Sequence, residues 1–206
     1  MTPVALDAMR DDLTLGVIGA GTMGRGIAQT AAAAGIKVML ADASDAAAAA
    51  DALAFISKMF DRAAEKGRMT AAEAEDAKDR IEIVSGGNAS LAACHVVVEA
   101  VFEDLAIKRA LFAELEGIVT DDCVLATNTS SLSVTAIAAE CRLPGRVAGF
   151  HFFNPVPLMK IVEVVNGVLT ESGVTDALAA IARRMGHHPV ICGDTPGFVV
   201  NHAGRG

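Results

Sequence analysis

The chain has 206 residues, enough for one sizeable domain, and its 52% hydrophobic content must fill a core without any Trp or Tyr. A formal net charge of −8 argues against nucleic acid or an anionic membrane as the main partner. It leaves phosphate ligands open, because local glycine loops and helix ends bind them regardless of net charge.

In chain order, residues 13–18 are a short apolar run ending in glycines and predict a buried strand. Residues 23–34 predict an Ala-rich helix that Gly35 stops, and residues 37–41 a second strand ending at Asp42. Residues 46–66 predict a long helix broken at Gly67; its alanine run is low in complexity, but alanine is the best helix former. Thr70 caps a further charged helix over 71–80, with Glu73 placed for a capping box. Strands follow at 81–84, 95–100 and 124–127, the last two joined by a helix over 105–119. Two more strands are predicted at 147–152 and 161–165, a helix at 174–185, a strand at 189–192 and a last helix beginning near Phe198. Alternating strands and helices predict an α/β fold whose sheet is largely parallel. No internal repeat or Ser- or Pro-rich linker divides the chain.

Cys94, Cys123, Cys141 and Cys192 show no C-x-x-C spacing and read as buried small hydrophobes in a reducing setting. The N-terminus lacks the regions of a signal peptide, and no apolar run is long enough to span a membrane. A soluble cytoplasmic protein is the expectation.

Gly19, Gly21, Thr22, Met23 and Gly24 lie in a G-x-G-x-x-G pattern. Alone the pattern is weak, but here it follows a predicted strand and opens a helix. In that context Gly19 makes the tight turn, Gly21 lets a pyrophosphate approach the backbone, and Gly24 lets helix and strand pack closely. Asp42 falls about twenty residues downstream, where an acid accepts from the ribose hydroxyls of a dinucleotide. That carboxylate would repel a 2′-phosphate, and Ala43 and Ser44 supply no cation to neutralise one. NAD is therefore expected rather than NADP.

Ligands of open α/β sheets bind beyond the carboxyl ends of the strands. Glu99 and Glu103, the cluster Thr127-Asn128-Thr129-Ser130-Ser131, and His151 all fall at predicted strand ends. Each has a plainer reading: a capped loop for the cluster, pairing with a structural cation for Glu99 and with Lys108 for Glu103, and a satisfied core histidine for His151. His151 and Glu163 are ionisable residues in an almost wholly apolar stretch, and such residues are expected to satisfy each other. A carboxylate that orients a histidine is also what a general base needs. His187 and His188 are expected in a helix-to-strand loop, and no metal site is expected because no third ligand has suitable spacing.

The segments NTSSLSVTAIA at 128–138, GFHFFNPVPLMKIVEVV at 149–165 and DTPGFVVN at 194–201 together resemble the L-3-hydroxyacyl-CoA dehydrogenase family. The likeness covers about residues 13 to 202, and VVVEAVFEDLAIKRALF falls in a similar segment. It implies a Rossmann-type NAD-binding domain over 1–200, with 201–206 starting an all-helical C-terminal domain that is otherwise absent here. The implied reaction is β-oxidation type: NAD-dependent oxidation of a (3S)-3-hydroxyacyl-CoA to a 3-oxoacyl-CoA. His151 is then the general base, oriented by Glu163, while Ser130 and Asn201 hold the reacting end of the substrate. Glu103, Lys108 and Asn128 match positions near the nicotinamide, and Lys58, Lys66 and Arg68 are candidates for the CoA phosphates. In full length such proteins dimerise through the helical domain, so a domain lacking it is expected to bind NAD but turn over acyl-CoA slowly or not at all. The competing readings are a dehydrogenase of a free hydroxy or sugar acid and a non-catalytic NAD-binding domain.

Overall fold

The computed structural model describes residues 6–42, 46–84, 88–195 and 197–199. Strand β1 (Thr14–Ile18) runs into helix α1 (Thr22–Ala33), and β2 (Lys37–Ala41) into α2 (Ala46–Glu65) and α3 (Ala71–Asp79). Strand β3 (Ile81–Ile83), β4 (Val96–Glu99), α4 (Leu105–Glu116), β5 (Val124–Thr127) and α5 (Val134–Ala138) follow. The chain closes with β6 (Val147–Phe152), β7 (Ile161–Asn166), α6 (Ser172–Arg184) and β8 (His188–Gly193). All eight strands join one sheet in the order β3-β2-β1-β4-β5-β6-β7-β8. Its first six members are the 3-2-1-4-5-6 arrangement of a doubly wound dinucleotide-binding fold, in which strand order reverses between β1 and β4.

Local chemistry explains most element ends. Gly35, at φ 76°, closes α1 in the left-handed region where a side chain would be strained. Thr70 and Glu73 form the expected capping box at α3, each side chain bonding the other residue's backbone N–H. Predicted and observed bounds differ by up to three residues, as fraying ends usually do. Helix α5 was not among the expected elements; its start is set by Ser133, whose side chain accepts from the Ala136 N–H. Two 3₁₀ turns at Asn88–Ala93 and Pro144–Arg146 were also unforeseen. The helix expected from Phe198 lies mostly outside the described residues; 197–199 form a turn.

The sheet separates two apolar layers. One packs α1, α2, α3 and α6 against residues such as Leu15, Val98 and Phe150. The other packs α4 and α5 against Leu125, Val147 and Val165. Strands β1 to β6 run parallel, as expected, but β7 is antiparallel to β6. The connection from Phe152 to Ile161 contains no crossover helix, and a parallel return would need a dozen or more residues. Helix α6 then supplies a crossover, so β8 runs parallel to β7. Among the described residues no helix is long and apolar enough to cross a membrane.

The β6–β7 pair is tightly fitted. A Cβ on Gly149 would lie 2.6 Å from Val165 Cβ, directly across the ladder. At Gly117, which ends α4 with φ −79°, the nearest atom to an added Cβ is 3.4 Å away. Gly149→Ala is expected to lower the unfolding free energy by about 1–3 kcal/mol through overpacking. Gly117→Ala should change it by less than about 1 kcal/mol. Urea unfolding of the two variants checks the contrast.

Candidate active site

The glycine loop sits at the strand-order reversal. Gly19 has φ 104°, and a Cβ there would lie 2.5 Å from the Ala100 carbonyl oxygen. A Cβ on Gly24 would overlap the Gly19 carbonyl, so the loop closes onto the first turn of α1. Gly21 is different: nothing stands within 4 Å of its would-be Cβ, and it caps α1 without a side-chain hydrogen bond. That end of α1 is an open cradle of backbone N–H groups, suited to a pyrophosphate. Asp42, at the end of β2, accepts from the Ala20 N–H at 2.8 Å and so ties the loop to the next strand. The residues present fit a dinucleotide.

A hollow of about 310 Å³ opens beside this loop. Met23, Glu103, Asn128, Ser130, His151 and Asn154 are among its walls. Strand ends gather them: β5 leads into Asn128 and Ser130, β6 into His151 and Asn154, and α1 brings Met23.

The β6–β7 ladder places His151 opposite Glu163. Nδ1 of His151 lies 2.7 Å from Oε2 of Glu163, with the histidine 6% and the carboxylate 0% exposed. A carboxylate only accepts, so Nδ1 donates, and it is the tautomer with a lone pair on Nε2 that this contact selects for a neutral ring; the ring lines the hollow. The other oxygen of Glu163 accepts from the Val199 N–H at 2.9 Å. Phe153 and Phe198 pack on the imidazole, with ring centroids 4.4 and 5.8 Å away. The arrangement can move a proton at Nε2 and stabilise the resulting charge through Nδ1.

Two further glutamates hold the surrounding loops. Glu99 is fully buried and accepts from Lys108 Nζ at 2.6 Å, Thr127 Oγ1 at 2.7 Å and the Val101 N–H at 2.7 Å. Glu103, nearer the surface, accepts from Thr129 and from the Ser130 N–H, and lies 3.3 Å from Lys108 Nζ. Burial alone would raise the Glu103 pKa, but the Thr129 and Ser130 bonds and the Lys108 charge outweigh it and hold the carboxyl below its usual range. It presents a fixed negative charge to the hollow.

Lys108 pairs with Glu103, as the plainer reading of that glutamate expected. Its side chain is 1% exposed and paired with both glutamates, because a buried ammonium requires counter-charge. It therefore reaches the hollow only through Glu103. Asn128 lines the hollow but spends its Oδ1 on the Phe152 N–H at 2.9 Å. Asn201 lies outside the described residues. Thr22 faces a second hollow on the other side of the α1 start.

That second hollow is a groove of about 360 Å³. Its floor includes Phe55, Met59, Val156 and Leu158, and its cations are Arg25, Arg62, Lys66 and Arg68. The Arg25 guanidinium stands 4.0 Å from the Phe55 ring centroid. Lys66 and Arg68 were expected near a phosphate; Lys58 is exposed and lines neither hollow. Sequence reasoning missed Asn154, Arg25 and Arg62. Asn154, a polar residue three positions beyond His151 in an apolar motif, was legible; the two arginines gave no signal until α1 and α2 packed side by side.

Asp194 ties the segment after β8 to the start of α5. It accepts from Ser133 Oγ at 2.6 Å and from the N–H groups of Val134 and Thr135 at 3.0 and 2.8 Å. Burial raises its pKa, yet these bonds prevail and the net shift is downward. Its stabilisation is then complete above the ordinary Asp value of about 3.9 and is lost as pH falls through the lower folded value. Asp194→Asn is expected to cost about 1–2 kcal/mol near neutrality. The gap to the parent should close in acid, as urea melts across pH will show.

Residues 14–195 match the family described as 3-hydroxyacyl-CoA dehydrogenase, NAD binding domain. The chain is 46% identical over 192 residues to 3-hydroxyadipyl-CoA dehydrogenase of Escherichia coli, covering 93% of this chain and 40% of that protein. It is 44% identical over 185 residues to a probable 3-hydroxybutyryl-CoA dehydrogenase of Bacillus subtilis, covering 90% of this chain and 64% of that one. A crystal structure of 3-hydroxybutyryl-CoA dehydrogenase from E. coli superposes with a TM-score of 0.91 at 44% identity, over 95% of this chain and 41% of the other. The chain thus spans about 40 to 64% of the length of these two curated relatives.

Proposed function

Since the chain belongs to the 3-hydroxyacyl-CoA dehydrogenase family, as its NAD-binding domain, we propose that it takes part in oxidising the 3-hydroxyl of a (3S)-3-hydroxyacyl-CoA to a 3-oxo group. The observation that carries the reading is the buried His151–Glu163 pair at the mouth of the dinucleotide site. NAD, when bound, supplies the acceptor for the hydride leaving C3 with its electron pair.

Nε2 of His151 takes the proton as the hydroxyl O–H bond breaks and the C3=O bond forms. Glu163 keeps Nδ1 protonated and offsets the charge on the ring. Ser130 stands in the same wall to hold the reacting oxygen end. The negative charge of Glu103 would help hold the cationic, oxidised nicotinamide ring. The fit of the glycine cradle and Asp42 supports NAD over NADP.

The groove supports a CoA thioester as substrate. An apolar floor flanked by four cations suits a long, weakly polar arm ending in phosphates. It begins where the hollow ends, since Asn154 lines both. A free hydroxy acid would leave these cations without a role. Among relatives, the names 3-hydroxyadipyl-CoA dehydrogenase and, for a Pseudomonas putida protein, fatty acid oxidation complex subunit alpha agree with acyl-CoA chemistry.

Substitutions and a substrate comparison test this reading. In an enzyme that carries this domain together with the helical one, His151→Ala is expected to lower kcat on 3-hydroxybutyryl-CoA by about 10²- to 10⁴-fold while the Kd for NAD changes little. Glu163→Gln should lower kcat and reshape its pH profile. Unchanged turnover in His151→Ala would remove the proton-transfer role. Reversing Lys66 and Arg68 together to Glu is expected to raise KM for the CoA thioester about tenfold or more. Equal turnover of free 3-hydroxybutyrate and its CoA thioester would reject the groove as a CoA site.

A further inference from the structure

His187 lies between α6 and β8 and is 2% exposed. Its Nδ1 stands 3.1 Å from the Met185 carbonyl oxygen and its Nε2 3.0 Å from the Val156 carbonyl oxygen. Both neighbours only accept, and a neutral imidazole carries a single N–H. In that state one contact is a hydrogen bond and the other sets two lone pairs against each other. The imidazolium donates at both.

Val156 belongs to the loop from Phe153 to Leu158 that walls both hollows. Phe153 and Asn154 line the one beside His151, while Asn154, Pro155, Val156, Pro157 and Leu158 line the groove. The Val156 side chain packs on α1, where a Cβ on Gly26 would come within 2.9 Å of it. Its carbonyl is left to His187, whose ring also meets the Phe152 ring in a T-shaped contact at 5.3 Å. The loop is therefore gripped between α1 and the turn that begins β8.

We propose that His187 is a positioning residue for this loop, a clamp that grips both Met185 and Val156 when its ring carries two protons and releases one of them when it carries one. The clamp stands on geometry alone; its consequence for substrate rests on the reading of the groove given above. The charged and titratable groups acting on the ring are Lys160, ahead of β7, and His188, in β8, both opposing a second proton. Arg184 of α6 spends its guanidinium on the carbonyls of Ala8, Arg10 and Gly35. His151 of β6 is paired with Glu163, and the loop itself carries no titratable residue. Burial above all, with Lys160 and His188, holds the His187 pKa below its ordinary value against the pull of the two carbonyls. The clamp closes as pH falls below the ordinary histidine range and loosens above it.

The test uses the whole chain without substrate, from about pH 4 to about pH 8, reaching well below the ordinary histidine value of about 6.5 because the His187 ring titrates lower. Nitrogen NMR of the His187 ring reports its protons. Amide exchange of Leu158 and Met159, whose N–H groups bond the Pro155 carbonyl, reports the loop. Both ring nitrogens are expected to carry protons at the acid end, with protection factors about three- to tenfold higher there, the worth of one hydrogen bond. His187→Arg, whose guanidinium keeps its charge when buried and can donate to both carbonyls, should hold the acid-side protection across the range. His187→Gln should hold the neutral-side value. A ring protonated at one nitrogen throughout, or wild-type protection that ignores pH, overturns the proposal even if neither variant folds. Because no substrate is present, either result leaves the acyl-CoA reading intact.

Discussion

The reversal of chain direction between β6 and β7 is the constraint on which the site depends. In a parallel continuation, the start of a strand lies at the opposite end of the sheet from the finish of its neighbour. The antiparallel return instead brings the first half of β7 beside the last residues of β6, and the register sets Glu163 directly opposite His151. A slip of one residue would turn the carboxylate to the other face, into the layer occupied by Val162 and Val164. There it would be a buried charge without a partner. The close fit of Gly149 against Val165 bars the same slip sterically. Packing and electrostatics thus select one pairing, and that pairing joins His151 to Glu163.

Carboxylates also organise the rest of the site, each at a different depth. Glu99 lies buried beneath the hollow and joins β4, β5 and α4 through Thr127 and Lys108. Glu103 sits above it and gathers the turn after β5. Asp194 fastens the segment after β8 to the start of α5. Glu163 completes the series by holding His151 with one oxygen and the Val199 N–H with the other. Donors fixed in this way need little rearrangement when charge develops on a bound ligand.

The loop after β6 divides the crevice that holds the dyad from the groove that holds the cations. It has no regular structure, so its position comes from what touches it: Gly26 on α1, the Phe152 N–H held by Asn128, and His187. Gly26 and Gly24 therefore serve different ends on one helix. Gly24 lets α1 meet the loop at the end of β1, and Gly26 lets the wall of the site meet α1.

Alternation of elements, the glycine fingerprint and the capping residues were legible in the sequence because each depends on neighbours a few positions apart. The apolar stretch around His151 and Glu163 announced that the two must satisfy each other, since a buried charge requires it whatever the fold. Other features had no local signature. The burial of Lys108 arises from the meeting of β4, β5 and α4, and the cationic groove from α1 lying beside α2. Helix α5 is short and owes its start partly to Asp194, about sixty residues away. His187 looked like an ordinary loop residue. By itself the sequence determined the fold class, the dinucleotide loop and the pairing of His151 with Glu163, all matters of composition and near spacing. Only the tertiary structure decided which groups face the ligand and which brace it from behind, because that depends on contacts between residues far apart in the chain.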